Sequence, residues 1–267
     1  IRVGSYAAVG GLMGLPLLGD APARAGGKSR VVLVRDERVL QDPVNPSGDV
    51  LEEMLDRAMV ALFGAPDVFS AWQGVIRPED TVGVKSNGWS YLPTPKSLER
   101  VIRSRLLDLG VRQEAISIND RGVLDDPVFD RATALVNVRP MRTHHWSGLG
   151  TLLKNYIMFT RTPSAYHGNA CENLGAIWQF PRIKGKTRLN ILVMLTPLFH
   201  GLGPHHFSRR HTWTYGGLIV SRDPVAADAT GARIIQAKRN VFFGRESPIS
   251  PPPVSYTHLT LPTNREV

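Results

Sequence analysis

Apolar positions along the chain fall into two periods. The segments 31–35 (VVLVR), 80–85 (DTVGVK), 115–119 (AISIN), 134–138 (ALVNV), 189–195 (LNILVML) and 217–221 (GLIVS) are short apolar or β-branched runs, which predict buried strands. Between the first two, Val50, Leu51, Met54, Leu55, Ala58, Met59 and Leu62 recur at helical spacing. Ser47 is placed to cap that helix at its start and Gly64 to stop it. A second stripe, Leu98, Val101, Ile102, Leu106 and Leu109, follows Thr94-Pro95 and ends at Gly110. A third helix opens at Asp223-Pro224 and carries Val225, Ala229, Ala232 and Ile235. Strands alternating with amphipathic helices predict the α/β class: a mostly parallel sheet covered by helices, a Rossmann-like three-layer architecture. One domain over 26–253 is the economical expectation.

Both ends depart from this pattern. Residues 3–19 are apolar and Gly-rich, follow Arg2, and lead to Ala23-Arg24-Ala25, a small-x-small sequence of the signal-peptidase type. Residues 1–25 are therefore expected to be the remnant of an export signal, with Ile1-Arg2 fitting the residues after a twin-arginine pair and a periplasmic destination. A buried N-terminal helix is the alternative. The run is short for a membrane span and breaks at Pro16 and Asp20, so no span is expected in the mature protein. Residues 254–267 follow three prolines, show no period and resemble a translated sequencing-adapter artefact, so they are set aside as a non-native tail.

Composition narrows the class. With 267 residues, 42% hydrophobic and 21% charged, the chain is neither disordered nor collagen-like. Its one cysteine, Cys171, excludes an internal disulfide framework and a Cys-ligated iron–sulfur cluster within this chain. The net charge of +9 raises nucleic acid as a partner, and its distribution answers the question. Residues 26–138 hold 14 basic and 17 acidic residues, whereas 139–240 hold 14 basic and three acidic ones. Seven of the eight histidines also fall between His144 and His211. That half has no RNP, zinc-finger or helix-turn-helix signature, so nucleic acid is not expected.

Four constellations carry candidate chemistry. Lys85-Ser86-Asn87-Gly88 lies just past a predicted strand, where α/β sheets bind ligands, and Lys85 suits an anion. A solvated lysine at a loop start is the plain alternative. The segment 139–155 holds Arg139, Arg142, His144 and His145, then Lys154 and Asn155, with Tyr166-His167 beyond. Neutral imidazoles are metal ligands or proton carriers, and a lysine pairs with anionic substrate or acts as a base. Each histidine alone is as readily structural. The 200–211 loop carries His200, His205, His206, Arg209, Arg210 and His211, a candidate metal- or anion-binding segment. Asp223 reads as a helix cap whose helix end can receive an anion, and Asp228 lies one turn on, where a structural role is equally open.

The blocks VKSN (84–87), LVNVRPMRTHH (135–145), LLKN (152–155), YH (166–167) and SRDPVAADATG (221–231) resemble, in order, the signature blocks of the Domain of Unknown Function 362 family. Some members of that family carry a ferredoxin-type module, which this chain lacks. Members also tend to place an acidic residue before the His/Gly/Pro loop, where this chain has Val193-Met194. A more distant resemblance is to nickel-pincer lactate racemases, which use a His, a Lys about ten residues later and another His, an order that His144, Lys154 and His167 fit. The resemblance implies an enzyme that depends on a metal or other cofactor and acts on a small anionic substrate. Its catalytic residues would be His144, Lys154 and His167. Lys85, Asn87, Asn155, Asp223 and Asp228 would hold ligand or cofactor. His144 and His167, with His205 and His206 as second choices, would ligate a transition metal or metallocofactor. The alternative is a non-catalytic binding or accessory protein for an anionic ligand or a redox partner.

Overall fold

In a computed structural model of the chain, residues 28–41, 45–201 and 207–251 are described, together with the backbone of 2–6. Most of the export-signal stretch, His205, His206 and the 254–267 tail lie outside the described residues. Eight strands form one sheet: β1 (Arg2–Tyr6), β2 (Val31–Arg35), β3 (Val82–Lys85), β4 (Ile116–Asn119), β5 (Ala134–His144), β6 (Gly148–Gly150), β7 (Thr187–Leu198) and β8 (Gly217–Ser221). Their order is β1-β2-β8-β7-β5-β3-β4, with β6 folded back on the far end of β5. Strands β4, β3, β5 and β7 pair in parallel, and β8 inserts antiparallel between β7 and β2. Five strands thus share one direction, giving the mostly parallel sheet that the alternating pattern predicts.

Helices cover both faces, making three layers. On one face α1 (Gly48–Phe63), α2 (Val68–Gln73) and α3 (Lys96–Asp108) pack against Val82, Val84, Val136, Val138 and Ile191. The apolar stripes of α1 and α3 are those the spacing predicts, and burial of such side chains stabilises by about 1.5–3 kcal/mol each. Ser47 accepts from the Val50 N–H, and Gly64 closes α1 in the left-handed conformation at φ 61°. On the other face α7 (Pro224–Phe243) packs against Met141, Leu192, Met194 and Ile219. Beside it the short turns α4 (Pro127–Asp130), α5 (Leu152–Asn155) and α6 (Leu174–Ile177) enclose a smaller apolar cluster around Phe129, Leu135, Tyr156 and Cys171.

Three features depart from the expectation. Strands β5 and β7 run well past the apolar runs that announce them, to His144 and Leu198. Their extensions carry Arg139, Arg142 and His144 in a wholly buried strand, where an apolar-run reading stops. Residues Arg2–Tyr6, assigned to an export signal, pair antiparallel with β2 and cover an edge that would otherwise be open. A row of polar residues also crosses the buried sheet in register: Lys85, Asn137, Asn190 and Ser221. Among the described residues no helix is long and apolar enough to cross a membrane.

Candidate functional site

Strand β3 is short, so β5 continues beyond it and leaves a step at the carboxyl ends of the parallel strands, where α/β sheets place ligands. Lys85 ends β3 on the face of the small turns. Gly83 precedes it on that face because a Cβ there would meet Phe129 at 2.8 Å and Leu135 at 2.9 Å. Lys85 Nζ donates to Asp120 Oδ1 at 2.5 Å, to the Ser86 carbonyl at 2.6 Å and to Asn155 Oδ1 at 3.3 Å. It is wholly buried, which excludes the solvated alternative.

Asn155 is the hub of this step. Its Nδ2 donates to the Lys85 carbonyl, to Asn137 Oδ1 and to the Val138 carbonyl. Asn137 in turn donates to Asn190 Oδ1 and to the Leu152 carbonyl, and Asn190 to the Arg222 carbonyl. This chain of buried amides ties β3, β5, β7 and the α5 turn into one rigid frame. Asp228, on α7, fixes the same turn from behind. It accepts from the Thr151 hydroxyl at 2.5 Å and from the Leu152 and Leu153 N–H groups at 3.0 Å each. Its role is to cap α5, which carries Lys154 and Asn155. Burial raises its carboxyl to about 7, against the pull of those hydrogen bonds.

Arg139, Arg142, Lys154 and His144 complete the cluster. With Lys85 they are between 0% and 7% exposed, an unusual concentration of buried cationic groups. The Nε of Arg139 and the Nη1 of Arg142 are buried without a hydrogen-bond partner. Arg142 lies over the Trp89 ring, 3.9 Å from its centre. Burial lowers Lys85 to about 8 although Asp120 opposes it, and lowers Arg139 to about 10. Burial, reinforced by Arg139, holds Arg142 well below its ordinary range. Lys154 falls to about 8 through burial, with Cys171 opposing and the two arginines adding to the fall. Asp120 is pushed up by burial, but the Lys85 ammonium and the Gly88 N–H overcome this and its carboxyl is lowered.

Beside the arginines the imidazoles form a stack. His144 and His167 have nearly parallel rings, 7° apart, with centres 6.0 Å apart, and Trp146 lies 4.4 Å from His167 and 3.9 Å from His145. Burial, then Lys154 and the arginines, keeps His144 far below the usual imidazole range. Burial and the Lys154 charge lower His167 to about 4. Both are neutral at pH 7. Lys154 Nζ approaches Cys171 Sγ at 3.8 Å. Cys171 is held there by Asn169, Ala170 and Cys171 itself, three successive non-glycine residues at φ 44°, 56° and 64°. Such a run is strained and persists only where its surroundings impose it.

The fold therefore brings His144, Lys154, His167, Lys85 and Asn155 into one neighbourhood. It does not bring Asn87 or Asp223 to them. Asn87 closes its own loop, its backbone pairing with Thr94 and its Oδ1 accepting from Trp89 N–H. Asp223 caps α7, accepting from Val225 and Ala226 N–H groups and from Ser29, beyond a strand three places from β3. The sequence pattern placed Arg139 and Arg142 in a candidate constellation without giving them a role, and it did not mark Asp120, Trp146 or Cys171. Asp120 had one signal: it directly follows a predicted strand, at the end where ligands bind.

A resident divalent cation is not what this donor set fits. Among the described residues no three His, Cys, Asp or Glu side chains converge to hold one. Both imidazoles face Lys154, and His144 also faces Arg139 and Arg142, charges that oppose a bare cation. The Asp120 carboxylate is engaged by Lys85. The same groups suit an anion. Comparison of the chain with protein-family models, curated proteins and solved structures finds no match.

Proposed function

We propose that the chain is an enzyme that binds a small anionic molecule at the step beyond β3 and moves a proton on it. The observation that carries this is the imbalance of buried charge among the described residues: Lys85, Arg139, Arg142 and Lys154 lie near two carboxylates, of which Asp120 is engaged by Lys85 and Asp228 by the α5 turn, and two guanidinium nitrogens are unpartnered. Desolvated cations of this kind are costly without an anion and strongly attractive to one. In this reading the arginines hold the anionic group. Lys154, at about 8, shifts readily between ammonium and free amine near neutral pH, the property a general base needs. Neutral His144 and His167 relay the proton, and Asn155 and Asp228 position Lys154.

The resemblance to the Domain of Unknown Function 362 family agrees with this reading, because all five of its blocks supply residues to one place. Lys85 comes from the first, Arg139, Arg142 and His144 from the second, Lys154 and Asn155 from the third, His167 from the fourth and the capping Asp228 from the last. Export to the periplasm remains part of the proposal through the pattern of residues 1–25.

The test is a panel of small carboxylates and phosphate esters incubated with the protein in D2O, with proton NMR following exchange of C–H groups next to the anionic group. Exchange that Lys154→Met and His144→Gln abolish while binding persists is the expected result. Binding without exchange for any compound would leave an accessory binding protein and overturn the catalytic reading.

A further inference from the structure

A cavity of about 660 Å³ opens at the carboxyl ends of β5 and β7, on the face that α1 and α3 cover. Its floor is apolar: Pro140 of β5 with Val193 and Leu195 of β7, the last two being 3% exposed. Two loops wall it. Residues 90–97 lead from β3 into α3, and residues 207–214 precede β8. Both loops are pinned to the frame. Thr94 N–H donates to the Asn87 carbonyl while its hydroxyl accepts from Asn87 N–H, so Asn87 serves this wall. Thr212 bridges Leu198, and Tyr215 N–H donates to the Leu195 carbonyl. The walls meet where Tyr91 stacks on Phe207, ring centres 5.1 Å apart and planes 23° apart. Trp213 adds a third ring to the lining, and Tyr91 is 57% exposed.

The charge around this space is of one sign. Lys96, Arg100 and Arg209 line it, and among the described residues no Asp or Glu does. Lys96 is matched by Glu99 at 2.7 Å. Arg100 and Arg209 have no carboxylate partner among the described residues. The first turn of α3 lies here too, without a side-chain cap, and adds the positive end of its dipole.

We infer that this cavity binds a small aromatic anion, its ring on the Pro140–Val193–Leu195 floor beside Tyr91 and Phe207, its anionic group toward Arg100 and Arg209. Size, an apolar lining and a few polar groups are what small-molecule sites share. A bare inorganic anion would leave the floor and the rings uncovered. A neutral ring would leave both arginines, the residues that suit carboxylate and phosphate, to water. The inference goes beyond the proton-transfer reading, because the cavity lies on the opposite face of the sheet from Lys85 and Lys154. Trp89 stands between the two places, its ring contacting Arg142 as well as Tyr91 and Phe207.

Calorimetric titration of the purified protein at pH 7 with 2-naphthoate, 2-naphthyl phosphate, 2-naphthalenemethanol and acetate tests this. At least one naphthyl anion is expected to bind about tenfold more tightly than both the alcohol and acetate, and the tighter of the two identifies the anionic group. A double variant, Arg100→Gln with Arg209→Gln, changes two exposed side chains and should lose about that tenfold. Thr214→Trp, at an exposed lining position, fills the space and should weaken the same anion by about tenfold. Lys154→Met should leave its binding unchanged. Naphthyl anions that bind no more tightly than the alcohol or acetate, or unchanged affinity in either cavity variant, would overturn the inference. Binding that Lys154→Met alone weakens would also overturn it, by placing the anion at the buried cluster and leaving the proton-transfer reading intact. Failure of C–H exchange with the cavity variants behaving as expected would remove that reading and leave this site.

Discussion

Arg105 and Arg142 are both arginines of the ordered interior edge, and they live in opposite circumstances. Arg105, on α3, donates to Asp56 at 2.6 and 2.9 Å, to Glu52 at 2.5 Å and to Asp108 at 2.9 Å. It keeps 19% of its side chain in solvent, and its carboxylates raise its proton affinity above the ordinary arginine value. Arg142 is more deeply buried, leans on an indole, has Arg139 as neighbour, and has its affinity lowered. Like charges buried side by side repel more strongly than they do in water, because the effective dielectric there is lower. The first arrangement is what folding selects when a charge serves stability. The second stores a cost in the free protein, and on the proposed reading an arriving anion relieves it, so the contrast sets an arginine that serves the fold against one proposed to bind.

The largest effect that sharpens this contrast belongs to Asp228, the buried carboxylate with every contact made. Asp228→Ala removes the acceptor of the Thr151 hydroxyl and of the Leu152 and Leu153 N–H groups at once. Leaving buried donors unmet costs about 1–3 kcal/mol each, so urea denaturation should show a loss of about 4 kcal/mol. A loss below about 1 kcal/mol would mean that α5 does not depend on this cap.

Next come the two arginines themselves. Arg142→Met replaces a buried, incompletely satisfied charge by an apolar chain of similar reach, and should stabilise the unliganded protein by about 1–2 kcal/mol. Arg105→Met breaks a partly exposed network and should destabilise it by about 1 kcal/mol. Thermal melts without added anion check both. Equal losses in the two variants would erase the contrast, since Arg142 would then be serving the fold.

Much of the fold was legible because it depends on local devices. The β-branched run at Val31–Arg35, the Ser47 cap, the left-handed Gly64 and the Asp223-Pro224 start act within a few residues, and each forms where the pattern predicts. The site was legible only in outline. His144, Lys154 and His167 stand in an order that marks them, but Asp120 belongs to the site through a partner 35 residues earlier in the chain, Lys85. Arg139 and Arg142 hid behind their own charge, because a buried strand is expected to be apolar. Cys171 reaches Lys154 through three left-handed residues, a conformation that Asn-Ala-Cys does not announce. Local propensity is thus a poor guide where the buried sheet carries charge, since the groups that meet there come from distant parts of the chain.

The smallest effect is a pH dependence that sets the satisfied carboxylate against the unsatisfied lysine. Folding raises Asp228 from 3.8 to about 7, so the folded state holds more protons between those values and stability falls as pH rises across them. Folding lowers Lys154 from 10.5 to about 8, so between about 8 and 10.5 the unfolded chain holds more protons and stability rises with pH. Lys85, lowered likewise to about 8, adds to that alkaline rise. Above pH 8 the unliganded protein should therefore gain stability, and Lys154 should contribute about 1 kcal/mol of that rise between pH 8 and 9. Denaturant unfolding at half-unit steps, in the wild type and in Lys154→Met, isolates that share as the difference between two slopes. Slopes that are identical in the two proteins would place Lys154 among paired charges such as Arg105 rather than beside Arg142.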